Sequence, residues 1–308
     1  MKRLRARAPG KVNLCLLVGG VRTDERHEVV TVLESVSLYD ELELTVLGHG
    51  AGADEVVCPA VEGPNLVTAA LDGLRARGWD GPRVRIEILK RIPVAGGMAG
   101  GSSDAAAALR LAEAVHPVAD EVIAVVAAEL GSDVPSQLVP GVWIATGAGE
   151  SVEAAEPLAS HAFVVVPQPF ELSTADVYRE ADRLGDQRSD AELWSSLAAV
   201  RTVLSLPGGQ IPVELAVNDL ERAALSLRPE IASVLDRVRA AGAESAFVSG
   251  SGPTVVGLLS GSDAADRADA VAAELSGRYP GACAAVPVSE GFGQPSPSSG
   301  TISLSTDE

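Results

Sequence analysis

The segment Pro93 to Asp104 holds four glycines, Gly96, Gly97, Gly100 and Gly101, between a stretch of alternating apolar residues and an alanine-rich run. Glycines there let backbone N–H groups approach an anion closely, and a helix starting at their end adds the positive pole of its dipole. That combination suits a nucleotide phosphate. It is not a Walker A loop, because Ser102 stands where GxxxxGK[ST] needs its lysine, and it lacks a GxGxxG fingerprint. The plainer reading is a flexible turn followed by a Ser/Asp helix cap.

Two further groups have the chemistry to act on such a phosphate. The chain has only three lysines, Lys2, Lys11 and Lys90, among many arginines. Lys11 follows Pro9-Gly10 and precedes an apolar strand, so its ammonium can serve as a compact charge beside a hydroxyl or a phosphate; the alternative is a solvated strand-edge lysine. Asp133, in Leu130-Gly131-Ser132-Asp133-Val134-Pro135, reads either as an N-cap or Asx-turn carboxylate or as a general base taking a proton from an acceptor hydroxyl. In the second case catalysis is mostly positioning and charge stabilisation, with magnesium on the nucleotide phosphates.

Composition narrows the partners. A formal charge of −18 over 308 residues repels nucleic acid and anionic membrane, so bound phosphate must be held by local groups, and a small-molecule substrate is expected. Cys15, Cys58 and Cys283 form no CxxC pair and read as buried thiols in a reducing cytoplasm. The four histidines lack metal-ligand spacing, which predicts no protein-built metal site. The Arg-rich start leads into no secretory signal, and no apolar run reaches membrane-span length.

The elements that must position these groups follow from periodicity. Alternation predicts a strand over 3–8, a turn at Pro9-Gly10 and a strand over 12–18, then half-buried strands around Leu42–Val46 and Val84–Ile88. Helices are expected over 65–77, capped by Asn65 and ended by Gly78, and over 103–115 and 119–130. From Phe163 a strand is followed by helices near 173–184, 190–204 and 219–241, broken by Pro207, Pro212 and Pro229. Strands near 244–249, 254–259 and 282–288 and a helix over 263–276 complete a β, α, β, β, α, β order, the ferredoxin-like one, in an α+β protein. Residues 290–308 are rich in Gly, Pro, Ser and Thr and predict a disordered tail.

In combination these motifs resemble the 4-diphosphocytidyl-2-C-methyl-D-erythritol kinases, a family of the GHMP small-molecule kinases, up to about residue 290. Ala8-Pro9-Gly10-Lys11-Val12-Asn13-Leu14 is similar to the family's opening, Ser37-Leu38-Tyr39-Asp40-Glu41 to its LYDE segment, Leu130 to Pro135 to LG[SA]DVP, Leu172 to Tyr178 to LST-x-x-VY, Asn218-Asp219-Leu220 to ND[LF], and Ser249 to Thr254 to SGSGP[ST]. The resemblance implies that Lys11 and Asp133 are catalytic. It implies an ATP site made of Asn65 with Pro93, Val94, Ala95, Gly96, Gly97, Met98, Ala99, Gly100, Gly101, Ser102 and Ser103. Asn13, Arg26, His27 and Tyr178 are implied to contact the acceptor. The family's D-G-Y-H turn reads Asp24-Glu25-Arg26-His27 here, so Arg26 replaces the tyrosine expected to stack on cytosine; a guanidinium plane can also stack on a base, and His27 remains to hydrogen-bond its edge. Leu33-Glu34 stands where Phe-Gln is common, and Ala148 replaces the arginine of G-R-G-E.

The architecture implied is a two-domain GHMP-kinase-like fold: an ATP-binding kinase domain over 1–157 with a left-handed βαβ unit, and a ferredoxin-like domain over 158–289. The activity implied is ATP-dependent phosphorylation of the 2-hydroxyl of 4-diphosphocytidyl-2-C-methyl-D-erythritol in isoprenoid precursor synthesis, with Mg2+ carried on the nucleotide, by a cytoplasmic monomer or homodimer. The altered turn keeps two other readings open: a GHMP-type kinase for another small alcohol, and a nucleotide-binding homologue without catalysis.

Overall fold

The computed structural model describes residues 2–61, 63–210 and 216–298 and shows an α+β architecture built on two sheets. The first runs β11 (Ser296–Pro297), β1 (Arg3–Val21), β2 (His27–Gly48), β4 (Arg83–Leu89), β3 (Glu55–Val57), with β5 (Val142–Thr146) paired to the first half of β2 and β6 (Ser151–Ala155) paired to β5. Its backbone is the long pair β1 (Arg3–Val21) and β2 (His27–Gly48), antiparallel over nearly their whole length. The strand–turn–strand expected around Pro9-Gly10 is one strand instead. The register shifts between Pro9 and Lys11 and again between Asn13 and Cys15, so bulges absorb the proline and re-aim the side chains that follow. Strand β3 (Glu55–Val57), helix α1 (Leu66–Ala76) and β4 (Arg83–Leu89) form a βαβ unit whose strands pair in parallel.

Alternation in β4 places Val84, Ile86 and Ile88 in the core and the charged residues on the other face. Against that apolar face lie α1 and α2 (Gly100–Val115), which starts earlier than its periodicity suggested. Residues Ala105 to Ala108 are fully buried, and their small side chains let α2 lie close to β1 and to α1. Helices α3 (Asp120–Leu130) and the single turn α4 (Val134–Gln137) lead to β5 (Val142–Thr146) and β6 (Ser151–Ala155), a hairpin whose mixed apolar and polar residues gave no clear period.

The second sheet comprises β7 (His161–Val166), β8 (Ser245–Val248), β9 (Val255–Ser260) and β10 (Cys283–Ala285) in the order β10-β7-β9-β8, all antiparallel, the ferredoxin-like arrangement. Helices α5 (Thr174–Leu184), α6 (Asp190–Leu204), α7 (Glu221–Leu227), α8 (Glu230–Ala240) and α9 (Ala264–Ser276) complete it. Pro229 separates α7 from α8, as expected for a residue that breaks the helical hydrogen-bond ladder. Pro212 lies outside the described residues. A core cluster with Val12, Leu17, Val30, Phe163, Val165 and Phe247 joins the two sheets, so the groove between them has a fixed geometry.

The expected tail needs correction over 290–298. A 3-10 turn at Glu290–Gly293 leads into β11 (Ser296–Pro297), which pairs with Leu4 and Arg5 on the edge of β1. Tertiary partners supply what composition lacks: the buried Arg110 guanidinium of α2 donates to the carbonyls of Gly293, Gln137, Leu138 and Arg7, and Ser298 donates its N–H to Arg3. Residues 299–308 lie outside the described residues.

Candidate active site

A cleft of about 1140 Å3 opens where the two sheets meet. The glycine loop forms one wall. Ala99, at φ 54°, starts α2 without a side-chain cap, so the first N–H groups of the helix, at Gly100, Gly101 and Ser102 on the cleft wall, are free for an anion. The cap reading of this segment therefore fails, because neither Ser nor Asp performs the capping. Gly97, at φ +76°, packs so tightly against the turn 249–252 that a Cβ would come within 2.2 Å of the Ser249 carbonyl. Asn218 secures that turn, donating to the carbonyls of Val248 and Gly250 at 2.7 Å each.

Lys11 enters the same space from β1, just past the first bulge. Only 5% exposed, it is no strand-edge lysine: Nζ donates to Asn13 Oδ1 at 2.5 Å and to the Gly97 carbonyl at 2.9 Å, and lies 4.0 Å from Asp133 Oδ2. Burial lowers its pKa, and the nearby charge of Asp133 works against that. Asp133 starts α4, yet its side chain makes no capping hydrogen bond, which leaves the carboxylate aimed at Lys11 and the cleft. Asn13 is held in turn by Thr31, to which its amide donates at 2.8 Å.

The opposite end of the cleft is built by the β1–β2 turn and by α5. Glu25 adopts φ 66°, a conformation costly for a side-chain-bearing residue, and Asp24 braces the turn by accepting from the Arg26 backbone and guanidinium. The ring of His27 lies 5.0 Å from that of Tyr178, tilted by 30°, and its Nε2 is 2.7 Å from Asp182 Oδ1. Burial, helped by the charge of Asp133, pushes the Tyr178 phenol up to about 12.

The expected residues are thus gathered at one place: Lys11, Asn13, Arg26, His27, Asn65, Asp133 and Tyr178 line the cleft with Pro93 to Gly97 and Ala99 to Ser102. Met98 and Ser103 do not. Met98 packs in the core and offers its carbonyl to the Lys11 N–H, and Ser103 donates its hydroxyl to the Pro9 carbonyl. Asn65 caps α1 by accepting from Val67 N–H, so it holds the helix as well as facing the cleft. Sequence reasoning missed a buried cluster beneath the loop, where Lys90 bridges Asp40 and Asp104. Burial and the neighbouring Asp40 charge push Asp104 up to about 8, and its Oδ1 has no partner among the described residues. The scarcity of lysine was the one signal that singled out Lys90.

The uncapped start of α2 shares one cleft with the buried Lys11 and the half-buried Asp133 and is backed by a small-residue turn, and with the two-sheet fold this defines a GHMP-type phosphotransferase. The sequence patterns of the GHMP kinases N terminal domain and GHMP kinases C terminal match residues 65–141 and 209–280. A relative from Salinispora tropica, 4-diphosphocytidyl-2-C-methyl-D-erythritol kinase, is 41% identical over 89% of this chain and 88% of its own. A crystal structure of 4-(cytidine 5'-diphospho)-2C-methyl-D-erythritol kinase superposes with a TM-score of 0.72 at 32% identity, covering 92% of this chain and 99% of that one. Homoserine kinase from Cytophaga hutchinsonii shares the fold, with a TM-score of 0.68 at 17% identity over 96% and 98% of the two chains. The chain belongs to the 4-diphosphocytidyl-2-C-methyl-D-erythritol kinase family.

Proposed function

We propose that this protein transfers the γ-phosphoryl group of ATP to the 2-hydroxyl of 4-diphosphocytidyl-2-C-methyl-D-erythritol, with Asp133 as general base and Lys11 as the charge beside the reacting oxygens. The observation that carries the reading is the Lys11–Asp133 pair, 4.0 Å apart, with the same Lys11 Nζ bound to the Gly97 carbonyl of the glycine loop. A base and a cation are thereby fixed to the element that holds the phosphates.

The free N–H groups at the start of α2 stabilise the triphosphate, and Asp133 accepts the acceptor's proton as its oxygen attacks. Lys11 steadies the charge that develops between them. Its partners Asn13 and Gly97 offer only oxygens, which keeps the ammonium oriented. Among the described residues no three His, Cys, Asp or Glu side chains converge on a metal-sized space. Magnesium would be carried by the nucleotide, with Ser102 and Asp133 as side-chain oxygens on the cleft wall, and would supply charge neutralisation. At the far end, His27, Tyr178 and Arg26 form the wall on which the cytosine rests. No helix among the described residues is long and apolar enough to cross a membrane, and we place the protein, as a monomer or homodimer, in the cytoplasm with its small-molecule substrates.

The test is ADP release from Mg-ATP with and without the cytidine acceptor, for the natural protein and for Lys11→Ala. Turnover that needs both the acceptor and Lys11 is expected. Acceptor-independent ADP release, or an unchanged rate in Lys11→Ala, would sink the assignment.

A further inference from the structure

Helix α5 carries Tyr178 and Asp182 one turn apart, and both reach the turn that ends at His27. Tyr178 stacks against the imidazole, while Asp182 Oδ1 lies 2.7 Å from Nε2. Gln187 donates to the same carboxylate oxygen at 2.7 Å, which holds Asp182 in place. The ring itself is buried at 8% exposure but belongs to the cleft wall. Among the described residues its side-chain hydrogen bond is the one from Nε2 to Asp182, and Nδ1 has no protein partner there.

A carboxylate only accepts hydrogen bonds, so its partner nitrogen must carry the hydrogen; in a neutral imidazole the other nitrogen is then an acceptor. We propose that Asp182 is a positioning residue that fixes His27 as the Nε2–H tautomer, so that Nδ1 selects the exocyclic amino group of a cytosine and rejects the carbonyl that a uracil presents at the same place. This rests on the cytidine acceptor assigned above. Two acceptors facing each other leave both without a hydrogen, and a site built to bond a substrate N–H rejects an analogue that lacks it. Residues 24 to 28 alone could not set it, because a free imidazole interconverts its tautomers; α5 decides which one faces the base.

The experiment has two arms, both in the presence of saturating ADP so that the nucleotide loop is filled. In histidine-labelled protein near pH 8, with His27→Gln used to assign the signal, the ring nitrogens should show the Nε2–H tautomer, and CDP should shift Nδ1. A doubly protonated ring or the Nδ1–H tautomer overturns the proposal. By calorimetry the natural protein should prefer CDP to UDP by about tenfold or more, and Asp182→Asn should reduce that preference to within about threefold. Asp182→Glu should restore most of it, and ADP affinity should stay constant throughout. A preference that survives in Asp182→Asn overturns the proposal even if the protein phosphorylates the cytidine acceptor. A preference that depends on Asp182 in a protein without turnover supports the proposal for the base subsite and overturns the assigned reaction instead.

Discussion

Asp133 shows how one residue's role turns on a single hydrogen bond. At the first position of a short helix, its carboxylate would ordinarily be spent on backbone N–H groups, and here it is not. The group remains available as a base, 35% exposed at the side chain and 4.0 Å from a buried ammonium. Asp133→Asn keeps the shape and removes the basicity. We expect a loss of about 10²- to 10⁴-fold in kcat with ATP affinity changed by less than about twofold, read by single-turnover phosphoryl transfer and by calorimetry. Full transfer by that variant would remove Asp133 from the base role.

The glycine loop is the element whose residues divide most sharply between stability and binding. Gly97 has both a positive φ and a backbone carbonyl in the place where a Cβ would go, so Gly97→Ala combines backbone strain of about 1–3 kcal/mol with overpacking of similar size. Its melting temperature should fall by several degrees, and ATP binding should weaken because the loop must move to relieve the clash. Gly101→Ala is the contrast. Its nearest neighbour is the flexible end of Leu66 at 3.7 Å, and its φ is not positive. The fold should tolerate it with an unchanged melting temperature, while the methyl on the cleft wall should lower ATP affinity. Equal melting temperatures for the two variants would contradict this division.

Across the whole molecule the two sheets are joined by a buried polar contact as well as by the shared apolar cluster. His161, at the start of β7, places Nε2 2.7 Å from Glu34 of β2 and Nδ1 2.7 Å from the Ala159 carbonyl. Both ring nitrogens face acceptors, the arrangement that favours the imidazolium. Burial pulls the His161 pKa down, but the hydrogen bond to Glu34 and its charge outweigh this and leave it raised. A raised folded-state pKa means that this contact contributes fully below the unfolded value of about 6.5 and is lost as pH rises through the folded value. Denaturant unfolding from pH 6 to 9 should show stability falling across that interval, and His161→Gln should flatten the fall. An identical pH slope in the variant would show that other groups carry it.

How much of this was legible beforehand depends on whether a residue's role is local. Lys11 and Asp133 each allowed a plain structural reading and were singled out as catalytic only by the resemblance to the kinase family, whereas the glycine loop and the strand and helix periods could be read because conformational freedom and apolar spacing are properties of neighbouring residues. The order β, α, β, β, α, β was legible for the same reason, and it becomes the sheet order β10-β7-β9-β8 once paired. Other features depended on groups distant in the chain. Pro9-Gly10 looked like a turn until β2 gave β1 a partner along which a bulge could form, and 290–298 looked structureless until Arg110 and the edge of β1 supplied its hydrogen bonds. Lys90 meets Asp40 across fifty residues, and Asp182 meets His27 across 155, separations over which no local pattern carries information. The sequence alone thus determined which chemistry the chain holds and which elements carry it. The tertiary structure decided which oxygens are free, which cations are buried and which ring nitrogen meets Asp182, because these depend on what packing brings within about 3 Å.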